Sequence, residues 1–289
     1  MTDEEKTTQE QPEAIEEKAV EETTTEVSSE EAVEVTKGID EESPEQLTPE
    51  AAILNAWNPK TELGRKVKKG EITDIEDIFD SGYDVLEAEI VDILVPNLET
   101  DLLLIGQSKG KFGGGQRRVF RQTQKKTKEG NKPKFAAFAV VGNRDGLVGV
   151  GYGKAKETVP AREKAFRNAK LNLIKIRRGC GSWESMNPGP NSVPFKVKGK
   201  CGSVIVELLP APVGKGLIVE QECQKILALA GIKDVLSKTK GQTTSKVNLV
   251  KACMKALEQL MEVKIQPSHT EKLGIVEGKL GQVGESKDE

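Results

Sequence analysis

The chain has few of the residues that enzymes use for catalysis and metal binding. Its 289 residues include one histidine, four cysteines, two tryptophans and two tyrosines. Nucleophilic Ser/His/Asp and Cys/His constellations need a histidine beside the nucleophile, and His269 lies in a polar C-terminal segment. The sequence therefore predicts a protein that is not an enzyme and has no cofactor and no small-molecule substrate.

Cysteines and apolar residues are too scattered for a metal site or a membrane span. Cys180, Cys201, Cys223 and Cys253 never form C-x-x-C, so we expect small buried thiols and no bound metal. No apolar run approaches the roughly 18 residues that cross a bilayer, and the N-terminus has no apolar signal core. These absences predict a cytoplasmic protein that does not bind membranes.

Glycine is plentiful, but the glycine-rich strings do not match nucleotide-binding loops. Val148 stands where a phosphate-binding loop has its first glycine, and Ala155 stands where Ser or Thr must reach magnesium. Lys154 replaces the third glycine of the dinucleotide-binding pattern. Gly214-Lys215-Gly216 is expected to be an ordinary turn, with an anion-binding nest as the alternative.

Charge is strongly segregated along the chain, although the net charge is only −3. Residues 1–56 contain 18 acidic and three basic side chains, a net charge of −15, so the remainder carries +12. Residues 1–48 are too polar to offset the entropy of ordering, and we predict a disordered acidic tail. This tail is either a solvated coil or an electrostatic competitor that shields the basic body until RNA arrives.

A helical adaptor is predicted over residues 49–100. Thr48 is placed to cap a short helix that contributes Trp57, and isoleucines recur at helical spacing after residue 72. Residues 63–70 have the composition of a basic connector, whereas residues 89–94 suit either a short helix or a strand. We expect this region to pack on the body.

The segment from residue 106 to residue 128 contains eight basic side chains and no acidic one. We predict a strand over residues 116–127 and contact with a nucleic-acid backbone, because phosphates would neutralise the repulsion; a solvated face is the alternative. The basic side chains are Lys109, Lys111, Arg117, Arg118, Arg121, Lys125, Lys126 and Lys128.

A compact unit of two strands and one helix is predicted next. Apolar strands over residues 135–141 and 147–152 flank a turn at 143–146, and helical periodicity predicts an amphipathic helix over residues 158–176. The apolar stripe of this helix is expected to include Val159, and its polar side Lys175.

Basic residues mark both ends of the predicted helix. Lys154 and Lys156 precede its start, where free backbone N–H groups favour a phosphate. Arg177 and Arg178 follow its end. The unit therefore has the charge of a polyanion-binding surface.

A second α+β unit is predicted after a linker over residues 179–194. Its strands are expected at 195–200, 203–209, 217–219 and 235–238, and its helices at 220–230 and 245–261. Gly231 suits the C-terminal cap of the first of these helices. The segment beyond Pro267 is expected to be polar and loose.

Four strings in this order resemble the universal small-subunit ribosomal protein five family, in its archaeal and eukaryotic branch. They are VVGNRDGLVGVGYGKAKE (140–157), KLNLIKIRRG (170–179), VPFKVKGKCGSVIVELLPAPVGKGL (193–217) and LAGIKDVLSKTKG (229–241). The resemblance covers roughly residues 55–262. It implies a two-domain α+β fold, with a double-stranded-RNA-binding-like β-β-β-α domain over residues 101–180, a small α+β domain over residues 192–265, and a polar tail over residues 266–289.

The resemblance also implies a function and a set of neighbours. It implies a structural constituent of the small ribosomal subunit that binds small-subunit rRNA, contacts ribosomal proteins four and eight, and lies near protein three. The family lines the mRNA entry channel and influences decoding accuracy. In the family pattern, residues 128–134 correspond to a hairpin tip that reaches rRNA. The predicted RNA-binding residues are Lys109, Lys111, Arg117, Arg118, Arg121, Lys125, Lys126, Lys128, Lys132, Lys134, Lys154, Lys156, Arg177 and Arg178.

Two other functions stay open at this point. A free RNA-binding regulator could use the same fold, and a small-molecule kinase could share the C-terminal fold, although residues 212–216 lack a serine-rich phosphate loop. Many archaeal relatives carry extra cysteines and a histidine after the Gly-Ser-Trp-Glu string. Residues 185–188 here are Ser-Met-Asn-Pro, so we predict no zinc at Cys180.

Overall fold

The structure, a computed structural model, describes residues 57–108, 117–185 and 189–279. Within these ranges the chain is a mixed α+β protein. Its helices are α1 (Glu62–Lys68), α2 (Ile75–Asp80), α3 (Ala88–Leu94), α4 (Thr158–Leu171), α5 (Gln221–Leu229), α6 (Lys246–Glu262) and α7 (Pro267–Leu273). Its strands are β1 (Glu99–Leu102), β2 (Arg121–Thr127), β3 (Gly130–Gly142), β4 (Leu147–Ala155), β5 (Leu173–Lys175), β6 (Arg177–Arg178), β7 (Val197–Cys201), β8 (Val204–Pro210), β9 (Leu217–Ile218), β10 (Val235–Lys240) and β11 (Val276–Glu277).

The first sheet is antiparallel and has the order β1-β3-β4-β5, with β2 paired to the outer half of β3. The predicted turn between β3 and β4 is confirmed. The Asn143 side chain accepts hydrogen bonds from the backbone N–H groups of Asp145 and Leu147, at 2.8 and 3.0 Å. Arg144 and Gly146 have φ values of 57° and 88°, the left-handed conformation that tight hairpin turns use.

Helix α4 packs so closely on β4 that the strand needs glycine. A Cβ atom on Gly151 would lie 2.1 Å from the backbone N of Ala169 and 2.2 Å from the backbone O of Ala165. Both alanines, together with Ala161, are fully buried in the thin interface. The sheet therefore presents its small residues to α4 and its larger apolar side chains to the opposite face.

The helix predicted over residues 158–176 is too long. Helix α4 ends at Leu171 because residues 173–175 pair with β4 as strand β5. Two predicted side-chain positions are therefore wrong: Val159 is 52% exposed instead of packed on the sheet, and Lys175 is buried instead of solvent-facing.

The second sheet has the order β7-β8-β10-β9, in which β9 and β10 are parallel and the other pairs antiparallel. Helix α6 covers one face: a Cβ atom on Gly199 in β7 would lie 1.9 Å from the backbone O of Ala252 in α6. Buried side chains from α5, α6 and both sheets form one continuous apolar cluster. The predicted strands and helices of this unit are confirmed with small shifts at their ends, and Gly231 has the expected positive φ of 82°.

The predicted connector of the adaptor is helical up to Lys68. Residues 63–70 were expected to be a basic connector but form most of α1, because the Thr61 hydroxyl caps the N–H of Gly64 at 3.1 Å. The open choice at residues 89–94 is resolved as helix α3. An apolar cluster of its own, which includes Trp57, joins the adaptor to the first sheet.

Glu87 organises the start of the adaptor. Its carboxylate accepts hydrogen bonds from the Trp57 indole at 2.9 Å and from the backbone N–H groups of Lys60 and Thr61 at 2.9 and 2.7 Å. Burial would raise the pKa of Glu87, but these hydrogen bonds outweigh it and lower the pKa. The carboxylate is therefore ionised and fixed at neutral pH.

The segment beyond Pro267 is folded as far as Lys279, so the prediction of a loose tail is wrong there. Helix α7 begins at Pro267, and β11 pairs antiparallel with β6. The predicted acidic tail and the helix expected before Trp57 lie outside the described residues, as do residues 280–289.

Candidate nucleic-acid interface

Strands β2 and β3 form a hairpin that extends beyond the rest of the first sheet. β2 pairs with β3 from Arg121 to Thr127, and Lys128 and Glu129 connect the two strands. Strand β4 stops pairing with β3 at Phe135, so among the described residues the outer hairpin has no third strand. A two-stranded hairpin with both faces in solvent buries little apolar surface. Charged side chains therefore stay hydrated on both of its faces.

Five basic side chains share one face of this hairpin and of β4. Side chains two apart on a strand, and side chains directly opposite each other on paired strands, lie on the same face. Arg121, Ala136 and Lys154 are opposite one another on β2, β3 and β4, and two further pairs follow along the hairpin. The exposed basic residues of this face, called the hairpin face below, are Arg121, Lys125, Lys132, Lys134 and Lys154.

Acidic side chains neutralise little of this positive charge. Within the hairpin the acid is Glu129, which lies 2.8 Å from Lys132, and the two side chains are 76% and 64% exposed. Such an exposed pair contributes about 0–1 kcal/mol. Lys125 is directly opposite Lys132, and like charges in this position weaken an isolated hairpin. The hairpin face therefore favours a polyanion.

Three further predicted residues lie beside the hairpin face. Lys126 is on the opposite side of β2, Lys128 is in the turn, and Lys156 follows the end of β4; all three are exposed. Lys156 precedes Glu157, the N-cap residue of α4, whose side chain makes no capping hydrogen bond. The prediction that Lys154 and Lys156 precede a helix start is confirmed, and such a start favours anions.

Arg117 and Arg118 lie at the base of the hairpin beside a cleft of about 640 Å³. The Arg117 guanidinium donates to the backbone O atoms of Gly106 at 3.5 Å and of Thr244 at 3.2 Å. It therefore links the base of the hairpin to the loop before α6. The Arg118 side chain is exposed and lines the cleft together with Thr158, the first residue of α4. Arg118 is available to a ligand, whereas Arg117 is partly held by the protein.

The predicted contacts of Lys109 and Lys111 fall outside the described residues and stay predictions. Within the described ranges, no group of three or more His, Cys, Asp or Glu side chains converges as metal ligands would. No helix of the described chain is both long and apolar enough to cross a membrane. Three of the four cysteines are buried free thiols, as predicted, and Cys201 is partly exposed.

Comparison with known proteins identifies the family. The model of "Ribosomal protein S5, N-terminal domain" matches residues 119–177, and that of "Ribosomal protein S5, C-terminal domain" matches residues 199–268. The small ribosomal subunit protein uS5 of Nanoarchaeum equitans is 47% identical over 227 residues, which cover 78% of this chain and 97% of that protein. The chain belongs to the ribosomal protein S5 family. The protein of the same name from Methanocaldococcus jannaschii is 46% identical over 227 residues, covering 78% and 98% of the two chains.

The S5-family match confirms the resemblance inferred from the four sequence strings. The match to the N-terminal S5 domain contains every residue of the hairpin face, and the match to the C-terminal S5 domain contains most of the second sheet. The hairpin therefore belongs to the common part of this family rather than to an addition at one end.

Arg177, predicted to contact RNA, is used inside the S5 fold instead. Its guanidinium donates to the Glu277 carboxylate at 2.6 Å and to the backbone O atoms of Leu260 and Val263 at 3.0 and 2.6 Å. The side chain is 14% exposed. Nε and Nη1 of Arg177 thus bind the protein, and the structure gives the predicted RNA contact of this residue no support.

Arg178 is more deeply enclosed still. It is 2% exposed and donates to the Asp145 carboxylate at 2.6 Å and to the backbone O of Gly278 at 2.8 Å. The structure gives the predicted RNA contact of Arg178 no support either, because its side chain is buried and paired with Asp145. Arg178 fastens the β3–β4 turn to the C-terminal strand.

Lys175 is a third enclosed cation, and it pairs with the adaptor. Its Nζ lies 3.1 Å from Asp80 and 3.5 Å from Glu76, and its side chain is 8% exposed. Burial would lower the pKa of Lys175, but the hydrogen bond that its Nζ donates to Asp80 and the charges of both carboxylates outweigh burial and raise the pKa. Lys175 therefore holds helix α2 against β5.

The shared face was missed by sequence reasoning, although its signal is present. Residues 121, 123, 125 and 127 alternate with the strand period of two, which places Arg121 and Lys125 on one side of β2. The carboxylate partners of the two arginines leave no comparable signal, because Glu277 lies 100 positions from Arg177 and Asp145 lies 33 positions from Arg178.

Proposed function

We propose that this chain is a structural constituent of the small subunit of the cytoplasmic ribosome and that it binds small-subunit rRNA through the hairpin face. The observation that carries the proposal is the group of five exposed cations on one face of β2, β3 and β4. Phosphate groups are the natural counter-charge for such a face, and backbone contacts dominate affinity for nucleic acids. The assignment to the small ribosomal subunit rests on the relatives, which are named small ribosomal subunit protein uS5.

The proposal extends to the cations that flank the hairpin face. Arg118, Lys126, Lys128 and Lys156 are exposed around it, and we include them among the residues that contact RNA. Lys109 and Lys111 belong to the same proposal on the basis of their sequence, and Arg117 contributes its charge at the base. None of these residues is assigned a base-specific contact, because contacts with phosphates fix position without reading sequence.

The finer family features are also proposals. The order β2-β3-β4-α4 supports a double-stranded-RNA-binding-like domain over residues 101–180, preceded by an adaptor over 49–100 and followed by a small α+β domain over 192–265. Contacts with ribosomal proteins four and eight, proximity to protein three, and a position at the mRNA entry channel that affects decoding accuracy rest on family resemblance.

Sedimentation of a tagged chain tests the proposal. We expect the full-length chain to sediment with small subunits and whole ribosomes in gradients of cell lysate. The triple variant Arg121→Gln/Lys125→Gln/Lys134→Gln should shift part of the chain to light fractions. A control with the same loss of charge on exposed residues of α6 and its end, Lys251→Gln/Lys255→Gln/Lys264→Gln, should behave as the parent chain. A parent chain found mainly in light fractions would contradict a ribosomal role and favour a free RNA-binding regulator.

A further inference from the structure

The second sheet has a basic face that the proposed function does not use. Gly199 on β7 faces α6, so its neighbours Lys198 and Lys200 lie on the opposite face, where both are exposed. Cross-strand pairing continues this face over β8 and β10. Two rows of opposed residues cross the three strands, Lys198–Glu207–Lys238 and Lys200–Ile205–Lys240.

This surface, called the lysine face below, carries Lys196, Lys198, Lys200, Lys238 and Lys240. One carboxylate, Glu207, lies at its centre. It pairs with Lys196 at 2.9 Å and with Lys240 at 3.5 Å, and its side chain is 8% exposed beneath them. The hydrogen bond from Lys196 and the charges of both lysines lower the pKa of Glu207 against the effect of burial. Glu207 is therefore ionised at neutral pH and is already occupied by two of the five lysines.

The other three lysines have no such partner. Among the described residues, Lys198, Lys200 and Lys238 make no ion pair, and all three are exposed. Side chains two apart on a strand are about 6.6–6.8 Å apart, and strands separated by one neighbour are about 9.6 Å apart. These distances are comparable to the Debye length of about 8–10 Å, so the charges still repel in the free chain. A polyanion with regularly spaced charges would remove this repulsion.

We propose that the lysine face is a second RNA-binding surface, which holds a phosphate backbone through Lys198, Lys200 and Lys238. Its ligand class is an RNA backbone, because the face offers a flat array of ammonium groups and no fork of donors for reading bases. The lysine face lies on a different sheet from the hairpin face, so the chain holds rRNA at two separate places. The inference rests on the proposed function for the identity of the RNA, and its tests separate the two surfaces.

Chemical modification in the assembled subunit tests which molecule covers the lysine face. The free full-length chain and purified small subunits are treated with acetic anhydride, and mass spectrometry gives the extent of acetylation at each lysine. We expect Lys198, Lys200 and Lys238 to react several-fold less in the subunit than in the free chain. Ribonuclease treatment of the subunit before modification should restore their reactivity. Absence of protection, or protection that survives ribonuclease because a protein covers the face, would overturn the proposal.

Salt dependence of binding gives a second, quantitative test. The affinity of the full-length chain for small-subunit rRNA is measured over a range of salt concentrations, and each phosphate contact contributes roughly 0.7–0.9 to the log–log slope. The variant Lys198→Gln/Lys200→Gln/Lys238→Gln should flatten the slope by about two to three units. Glu207→Gln should steepen it, because Lys196 and Lys240 are released. Thermal unfolding of each variant confirms that it is folded.

The matched control again carries Gln at positions 251, 255 and 264. It loses the same charge elsewhere and should keep the parent slope. If the lysine-face variant behaves as this control while the hairpin-face variant flattens the slope, the proposal that the lysine face binds RNA is contradicted and the proposed function stands. If neither variant changes the slope, both proposals fail.

Discussion

Two groups of cations in this chain look alike in sequence and are used in opposite ways. The cations of the hairpin, residues 121–134, are exposed, and the one acid among them makes a solvent-exposed pair. The cations of the segment from Lys175 to Arg178 are enclosed and paired with carboxylates from three other parts of the chain. The comparison teaches that the role of a cation here is set by which distant carboxylate the fold brings to it.

The segment from Lys175 to Arg178, called the paired segment, links several distant parts of the fold. Lys175 holds the adaptor, Arg178 holds the β3–β4 turn, and Arg177 holds the C-terminal strand and the end of α6. Removing one partner from such a pair destabilises a protein, because the remaining groups lose their charge-assisted hydrogen bonds. The hairpin cations repel one another instead, so their removal should affect binding and leave folding intact.

The largest effect on stability is expected at Arg178. Arg178→Met should lower the free energy of unfolding by about 3 kcal/mol, because Asp145 and the backbone O of Gly278 each lose a donor. Urea unfolding followed by circular dichroism measures the change. Arg121→Met, which removes the same charge from the hairpin face, should change stability by less than about 0.5 kcal/mol. Similar losses of unfolding free energy in the two variants would contradict the distinction between enclosed and exposed cations.

A smaller loss is expected at Lys175, with a defined pH dependence. Lys175→Met should lower the free energy of unfolding by about 2 kcal/mol at neutral pH, because part of the pair with Asp80 and Glu76 is exposed to solvent. The pKa of Lys175 is raised above its ordinary value of 10.5, so the contribution is complete below that pH and is lost as pH rises through the folded-state pKa. A difference between parent and variant that disappears between pH 6 and 9 would contradict this assignment.

The smallest effect is expected in the hairpin. Arg121→Gln/Lys125→Gln/Lys134→Gln should change the free energy of unfolding by less than about 0.5 kcal/mol, and in the stabilising direction, because Lys125 no longer opposes Lys132. The same urea experiment measures it. A loss of more than about 1 kcal/mol would mean that these side chains support the fold, and the contrast with the paired segment would weaken.

Much of the fold could be predicted because its signals are local. The turn residues from Asn143 to Gly146, the glycine at position 231 and the apolar periodicity of the second unit each act within a few residues. The end of α4 could not be predicted, since Leu173 and Ile176 continue the helical spacing. Their conformation is decided by the pairing of β5 with β4, a contact between segments more than 20 residues apart.

The predicted site residues also divide into those with a local signal and those whose role depends on distant contacts. An acid-free, basic stretch was enough to predict exposed cations in the hairpin, because charge of one sign without a partner must face solvent or a polyanion. It was not enough for Arg177, whose partner Glu277 lies 100 residues later in what composition marks as a polar tail. The prediction of a loose tail therefore failed at the same ion pair that uses Arg177 inside the fold.

The salt dependence of rRNA binding tests the central claim most directly. The log–log slope of affinity against salt is measured for the full-length chain, for the hairpin triple variant and for Arg177→Gln. The account predicts that the hairpin variant flattens the slope by about two to three units, because three phosphate contacts are lost, whereas Arg177→Gln leaves it unchanged. An unchanged slope in the hairpin variant, or an equal flattening per charge in Arg177→Gln, would contradict the account.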